Sequence, residues 1–136
     1  MKIKNVIRVL LSFFLVFVFT TAWAKTIKWS MQGDSLTLDP HAQNEGPTTQ
    51  VSRQVYEALV TRGLDMKIGP QLATEWTTRD PNTWEFKLRE DVKFSDGSKM
   101  TSDDVVFSIL RAKQRTSDFK EYISTISGVK AIGDYT

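Results

Sequence analysis

Apolar and charged positions alternate most regularly between residues 83 and 94. Trp84, Phe86 and Leu88 interleave with Glu85, Lys87 and Arg89, the period-two pattern of a strand with one buried face, and Val92 and Phe94 resume it. Ser95-Asp96-Gly97 supplies a turn, because Asp can bond its own backbone and Gly tolerates positive φ. The period then lengthens: Val105, Val106, Ile109 and Leu110 fall on one face of a helix. Thr101 or Ser102 can cap that helix. Asp103 and Asp104 stand where first-turn amides and the positive end of the helix dipole favour carboxylates.

Elsewhere the pattern is shorter but readable. Residues 26–31 predict a first strand with Ile27, Trp29 and Met31 on one side, and residues 33–46 a polar loop around Asp39-Pro40. Pro47 with Thr48 or Thr49 opens a helix whose core side is Val51, Val55, Leu59 and Tyr56, with Gly63 as its C-terminal cap. Residues 64–68 read as a short strand or turn and Gly69-Pro70 as a break, after which residues 72–76 lead into a strand reaching Thr78. Asp80-Pro81-Asn82 then makes a hairpin turn, across which Trp76 and Trp84 are expected to pair. Ser117-Asp118 is expected to open a further helix burying Phe119, Tyr122, Ile123 and Ile126, and residues 128–133 to form a strand. Strands and helices mixed in this order predict a mixed α/β or α+β architecture, without repeats or low-complexity tracts.

The order and identity of these residues resemble a family. Ala73, Trp76, Asp80, Thr83-Trp84-Glu85-Phe86-Lys87-Leu88-Arg89, Val92-Lys93-Phe94, Asp96-Gly97, Asp103-Asp104-Val105-Val106-Phe107-Ser108 and Arg111 are similar to the signature of family 5 extracellular solute-binding proteins, the oligopeptide- and dipeptide-binding receptors of bacterial ABC importers. Leu38-Asp39-Pro40-His41, Val55-Tyr56-Glu57-Ala58-Leu59-Val60 and the Pro70, Leu72, Ala73 step extend the resemblance upstream. It implies the N-terminal part of a two-lobed periplasmic binding protein fold, type II and cluster C-like. On that reading residues 25–62 begin the large lobe and residues 63–136 a smaller second domain, incomplete at its C-terminus. The sequence is then expected to be an N-terminal fragment. The implied partners are a peptide or other small solute and an ABC permease in the inner membrane, with a monomeric receptor and no nucleic acid. Relatives also carry nickel, haem, opines and some oligosaccharides, so the solute stays open.

The N-terminus reads as an export signal. Lys2, Lys4 and Arg8 precede an apolar run at residues 9–21, and Ala22-Trp23-Ala24 offers small residues for cleavage after Ala24. The run is shorter than the roughly 20 residues a spanning helix needs. No cysteine occurs in the sequence, which excludes lipid attachment at a cysteine and predicts a periplasmic protein. Taking the signal's three basic residues from the 18 Lys and Arg leaves 15 against 16 Asp and Glu, so the mature chain is near neutral. The basic isoelectric point of the whole sequence therefore argues for neither nucleic acid nor acidic membranes.

An inventory removes most catalytic chemistry. The absence of cysteine excludes thiol nucleophiles and thiolate metal sites, and the single histidine, His41, cannot build a multi-histidine centre. No Gly-x-Ser-x-Gly elbow or phosphate-cradling glycine loop is present. Glu90-Asp91 and Asp103-Asp104 read as a surface strand end and a helix start rather than as acid/base pairs. No enzyme, cofactor or metal site is expected. His41 reads as a turn residue bonding locally, against the sharper alternative of a pocket donor or ligand.

By the resemblance, the segment between first strand and first helix faces the cleft, which makes Asn44, Glu45, Gly46, Pro47 and Thr48 the candidate solute-binding residues. The physical case is that a helix N-terminus presents free N–H groups, Gly46 admits close approach, and Glu45 offers an acceptor for an ammonium. An ordinary polar loop with a helix-entry proline explains the same residues. The resemblance also implies that the carboxylate pairing with a peptide amino terminus comes from a later lobe. A small secreted carbohydrate-binding, enzyme or inhibitor domain complete at this length is the alternative reading. The tryptophans would be its binding platform, whereas their alternation with charges points to core packing.

Overall fold

The computed structural model describes residues 26–136, and the export-signal reading lies outside them. Residues 26–30 belong to one unit and Met31–Thr136 form another. The expected strand at residues 26–31 is absent: these residues are irregular, with Ile27 85% and Trp29 72% exposed. A strand exists only through its ladder, and among the described residues none pairs with this segment.

The element order is α1 (Gly46–Val55), β1 (Val60–Arg62), β2 (Ile68–Pro70), β3 (Ala73–Asp80), β4 (Thr83–Leu88) and α2 (Ser102–Ala112). Among the described residues two antiparallel hairpins, β1 with β2 and β3 with β4, make up the sheets. None of the helices among the described residues is long and apolar enough to cross a membrane.

β3 and β4 form where the alternation demands them, and their burial grades along the hairpin. At the base Ala73 faces Leu88, and both are buried; midway Trp76 faces Phe86, both half-buried; near the tip Thr78 faces Trp84, both exposed. Trp76 faces Phe86 rather than the expected Trp84, because the two-residue Pro81-Asn82 turn pairs Asp80 with Thr83 and sets the register from the tip. Trp84 is 57% exposed despite sharing the face of Leu88, since the core lies only at the hairpin base. That core is Ala73, Leu88 and Met100, flanked by Leu59, Leu72, Phe86, Val92, Val105 and Tyr135.

The turn at Ser95-Asp96-Gly97 forms as expected, with Gly97 at φ +91° and the Asp96 carboxylate accepting the Ser98 N–H at 2.9 Å. Thr101 is the N-cap of α2, and Asp104 closes a capping box by accepting the Thr101 N–H at 2.7 Å. Of the predicted apolar face, Val105, Val106 and Ile109 are half-buried, and Leu110 is exposed.

Three further expectations give way to competing hydrogen bonds. α1 ends at Val55 rather than near Gly63, because the Ala58 and Leu59 carbonyls accept the N–H groups of Leu72 and Ala73 at 3.0 and 2.8 Å. Gly63 instead starts the β1–β2 turn, donating to the Lys67 carbonyl at 2.9 Å, and Gly69-Pro70 lies within β2. Residues 117–126 form successive tight turns, not a helix, and Tyr122 is 72% exposed. Residues 128–133 carry no strand; the chain there closes back as the Leu88 N–H bonds the Tyr135 carbonyl at 2.9 Å.

The grading of the hairpin makes a direct prediction. Leu88→Ala should destabilise the protein by about 2–5 kcal/mol, while Trp84→Thr should stay within about 0.5 kcal/mol. Urea unfolding followed by circular dichroism measures both, and equal losses would show that the tip is buried too.

Candidate ligand-binding site

The polar loop of residues 33–45 turns into α1 at Glu45, the N-cap residue, whose backbone is extended at φ −76° and ψ 159°. Pro47 occupies the first turn, where its missing N–H costs no helical bond. Thr48 anchors the junction at 1% exposure: its hydroxyl accepts the Leu36 N–H at 3.0 Å and donates to Glu45 Oε1. The other carboxylate oxygen, Glu45 Oε2, is buried and has no hydrogen-bond partner among the described residues. A buried carboxylate oxygen without a donor is costly. A cationic or N–H donor on a solute would relieve that cost.

The five candidate residues thus divide. Glu45 and Thr48 are brought into contact, and Pro47 is half-buried beside them. Asn44 and Gly46 are open to solvent, and nothing lies within 4 Å of where a Gly46 Cβ would stand, so another molecule can approach that backbone. None of the five lines the nearby groove, a hollow of about 240 Å³ along α1 bounded by Pro40, Gln43, Arg53, Tyr56, Glu57 and Phe119. Among the described residues no three acidic or imidazole side chains converge as a metal site.

The loop has a second anchor that local sequence patterns do not reveal. Asp39 receives a bidentate pair from Arg111 of α2, Nη1 to Oδ1 at 2.7 Å and Nη2 to Oδ2 at 2.6 Å. The same Nη1 lies 3.0 Å from His41 Nδ1. Guanidinium only donates, so Nδ1 is the acceptor and the neutral ring carries its proton on Nε2. The Arg111 hydrogen bonds, reinforced by the His41 backbone N–H at 3.0 Å, hold the Asp39 carboxyl well below the usual carboxylate range. Burial and then the Arg111 charge push the His41 ring down from its ordinary value, while Asp39 opposes them. The His41 carbonyl also accepts the Asp118 N–H at 3.0 Å, and Phe119 packs edge-on at 6.3 Å. His41 is therefore more than a locally bonded turn residue, because its partners come from α2 and from the turns after it.

Comparison with known proteins agrees with this architecture. Residues 67–136 match the model described as bacterial extracellular solute-binding proteins, family 5 Middle. The periplasmic oligopeptide-binding protein OppA of Escherichia coli K12 is 31% identical over 86% of this chain and 25% of its own length. Among solved structures, the Escherichia coli murein tripeptide binding protein MppA is 32% identical with a TM-score of 0.65, over 69% of this chain and 19% of that one. Haemophilus influenzae OppA in complex with RPPGFSPFR is 33% identical with a TM-score of 0.62, over 67% and 18%. The chain spans about a quarter of the length of the curated relatives it matches. Its helices and strands are those of part of a two-lobed binding-protein fold, and by its match over residues 67–136 the chain belongs to the family 5 bacterial extracellular solute-binding proteins.

Proposed function

We propose that this chain serves solute capture for an ABC importer, with peptides as cargo, in the periplasm. The observation that carries the reading is the family match over residues 67–136. Relatives named for oligopeptide and murein peptide binding support peptides as the cargo. In this reading the solute is enclosed between two lobes and presented to an inner-membrane permease by a monomeric receptor, without chemistry on the solute. Residues 25–62 contribute to the large lobe and residues 63–136 to the smaller domain, after an export signal cleaved behind Ala24.

Asn44, Glu45, Gly46, Pro47 and Thr48 are the residues proposed to meet the solute. The unpartnered Glu45 Oε2 favours a donor such as an ammonium or a peptide N–H, and the open backbone at Gly46 favours close approach of an extended main chain. Recognition through the main chain tolerates varied side chains, as a receptor of general peptides requires.

Disrupting the encoding gene is expected to reduce uptake of labelled tri- to pentapeptides to background, with recovery when the gene is returned. Unchanged peptide uptake, with loss of uptake of another solute, would overturn the cargo. A second expectation concerns the chain by itself. A solute enclosed between two lobes needs both, and the chain spans about a quarter of its curated relatives' length, so isothermal titration of residues 25–136 with such peptides should give a Kd weaker than about 1 mM. Micromolar binding by this chain would contradict that.

A further inference from the structure

Arg111 ties two residues of the polar loop to α2, and they respond to acid differently. Asp39 is an anion whose attraction to the guanidinium grows with ionisation. His41 is an acceptor only while neutral, since Nδ1 must keep its lone pair to receive the Nη1 proton across 3.0 Å. We propose that His41 is a proton-operated latch: neutral, it fastens the loop before α1 to α2 through Arg111, and protonated, it lets go.

The geometry leaves a protonated ring without a place in the closed arrangement. With Nδ1 protonated, two donors face each other and a second positive charge stands beside the guanidinium. The obvious counter-ion, Asp39, has both oxygens engaged by Arg111, and Oδ1 also accepts the His41 backbone N–H. From the turns after α2, Asp118 offers His41 its backbone N–H and Phe119 the edge of an uncharged ring. From the end of α1, Tyr56 is committed to the Leu38 carbonyl at 2.8 Å. The Asp39 carboxylate and the Tyr56 hydroxyl are thus already committed, and the charges that act on the ring are those of Arg111 and Asp39.

The sign follows from proton counting. The closed latch holds His41 neutral and the open one lets it titrate at its ordinary value of 6.5, so closure binds fewer protons. The latch therefore contributes fully above pH 6.5 and is lost as pH falls through the lowered value of the folded state. Asp39 stays ionised through that window, because its carboxyl titrates well below the usual carboxylate range. Mild acid thus releases the His41 half of the anchor and leaves the Asp39–Arg111 pair, so the loop loosens without detaching. The latch operates whatever solute the protein carries.

One histidine in the whole sequence makes the test unambiguous, since a single imidazole resonance reports on it. In a proton NMR titration of the full chain, the His41 midpoint is expected below 6.5, and backbone amides of residues 36–48 should shift with the same midpoint. His41→Asn, whose amide oxygen can take the Arg111 proton at any pH, should remove that titration from residues 36–48 while leaving the remaining spectrum in place. Arg111→Gln should raise the His41 midpoint toward 6.5; should that variant not fold, the wild-type and His41→Asn titrations decide alone. A midpoint at or above 6.5, or loop amides that keep titrating in His41→Asn, would overturn the latch.

Discussion

The pairing of Ala73 with Leu88 at the base of the β3–β4 hairpin is the constraint on which the rest of the structure depends. Only Met100 joins them as a fully buried member of the cluster, so the hydrophobic contribution is concentrated at one point. Backbone hydrogen bonds gather at the same point. Leu72 and Ala73 bond the carbonyls of Ala58 and Leu59, Arg89 bonds Leu72, and Leu88 bonds Tyr135. Two further stretches of chain, at Ala58–Leu59 and at Tyr135, are thus registered against one strand pair, and a slip there would move both.

What could be read from the residues was whatever depends on near neighbours. The β3–β4 alternation, the Asp96-Gly97 turn, the box closed by Thr101 and Asp104, and the proline in the first turn of α1 are all settled within a few residues. What could not be read depends on distant partners. The apolar spacing of Val51, Val55 and Leu59 looks helical to its end, yet the backbone at Ala58 and Leu59 is taken by residues more than a dozen positions away. Trp84 has a core-facing pattern and an exposed position, because alternation reports a face and not how far along it the core extends. The segments at residues 26–31 and 128–133 have strand composition but no ladder among the described residues.

The same division runs through the candidate site. Pro47 and Thr48 were legible as a helix entry, whereas the burial of Glu45 Oε2 without a partner shows only in three dimensions. The Asp39–Arg111 pair joins positions 72 residues apart, and no local pattern announces it. Together the two anchors, Thr48 on Leu36 and Arg111 on Asp39 and His41, hold the loop from both sides. A loop held this way has little conformational freedom left to lose.

The start of α2 carries a consequence for how the protein folds. Its first residue, Ser102, donates its N–H to the Asp134 carbonyl at 2.8 Å and its hydroxyl to the Gly133 carbonyl at 2.5 Å. The helix entrance is therefore finished by residues about thirty positions later in the chain. As the chain folds, the capping box closes over three residues, but these bonds must wait for a loop of about thirty residues to close. Until the two ends meet, the hairpin base stands unclosed, with Leu88 lacking its last backbone partner and an apolar edge open to other chains.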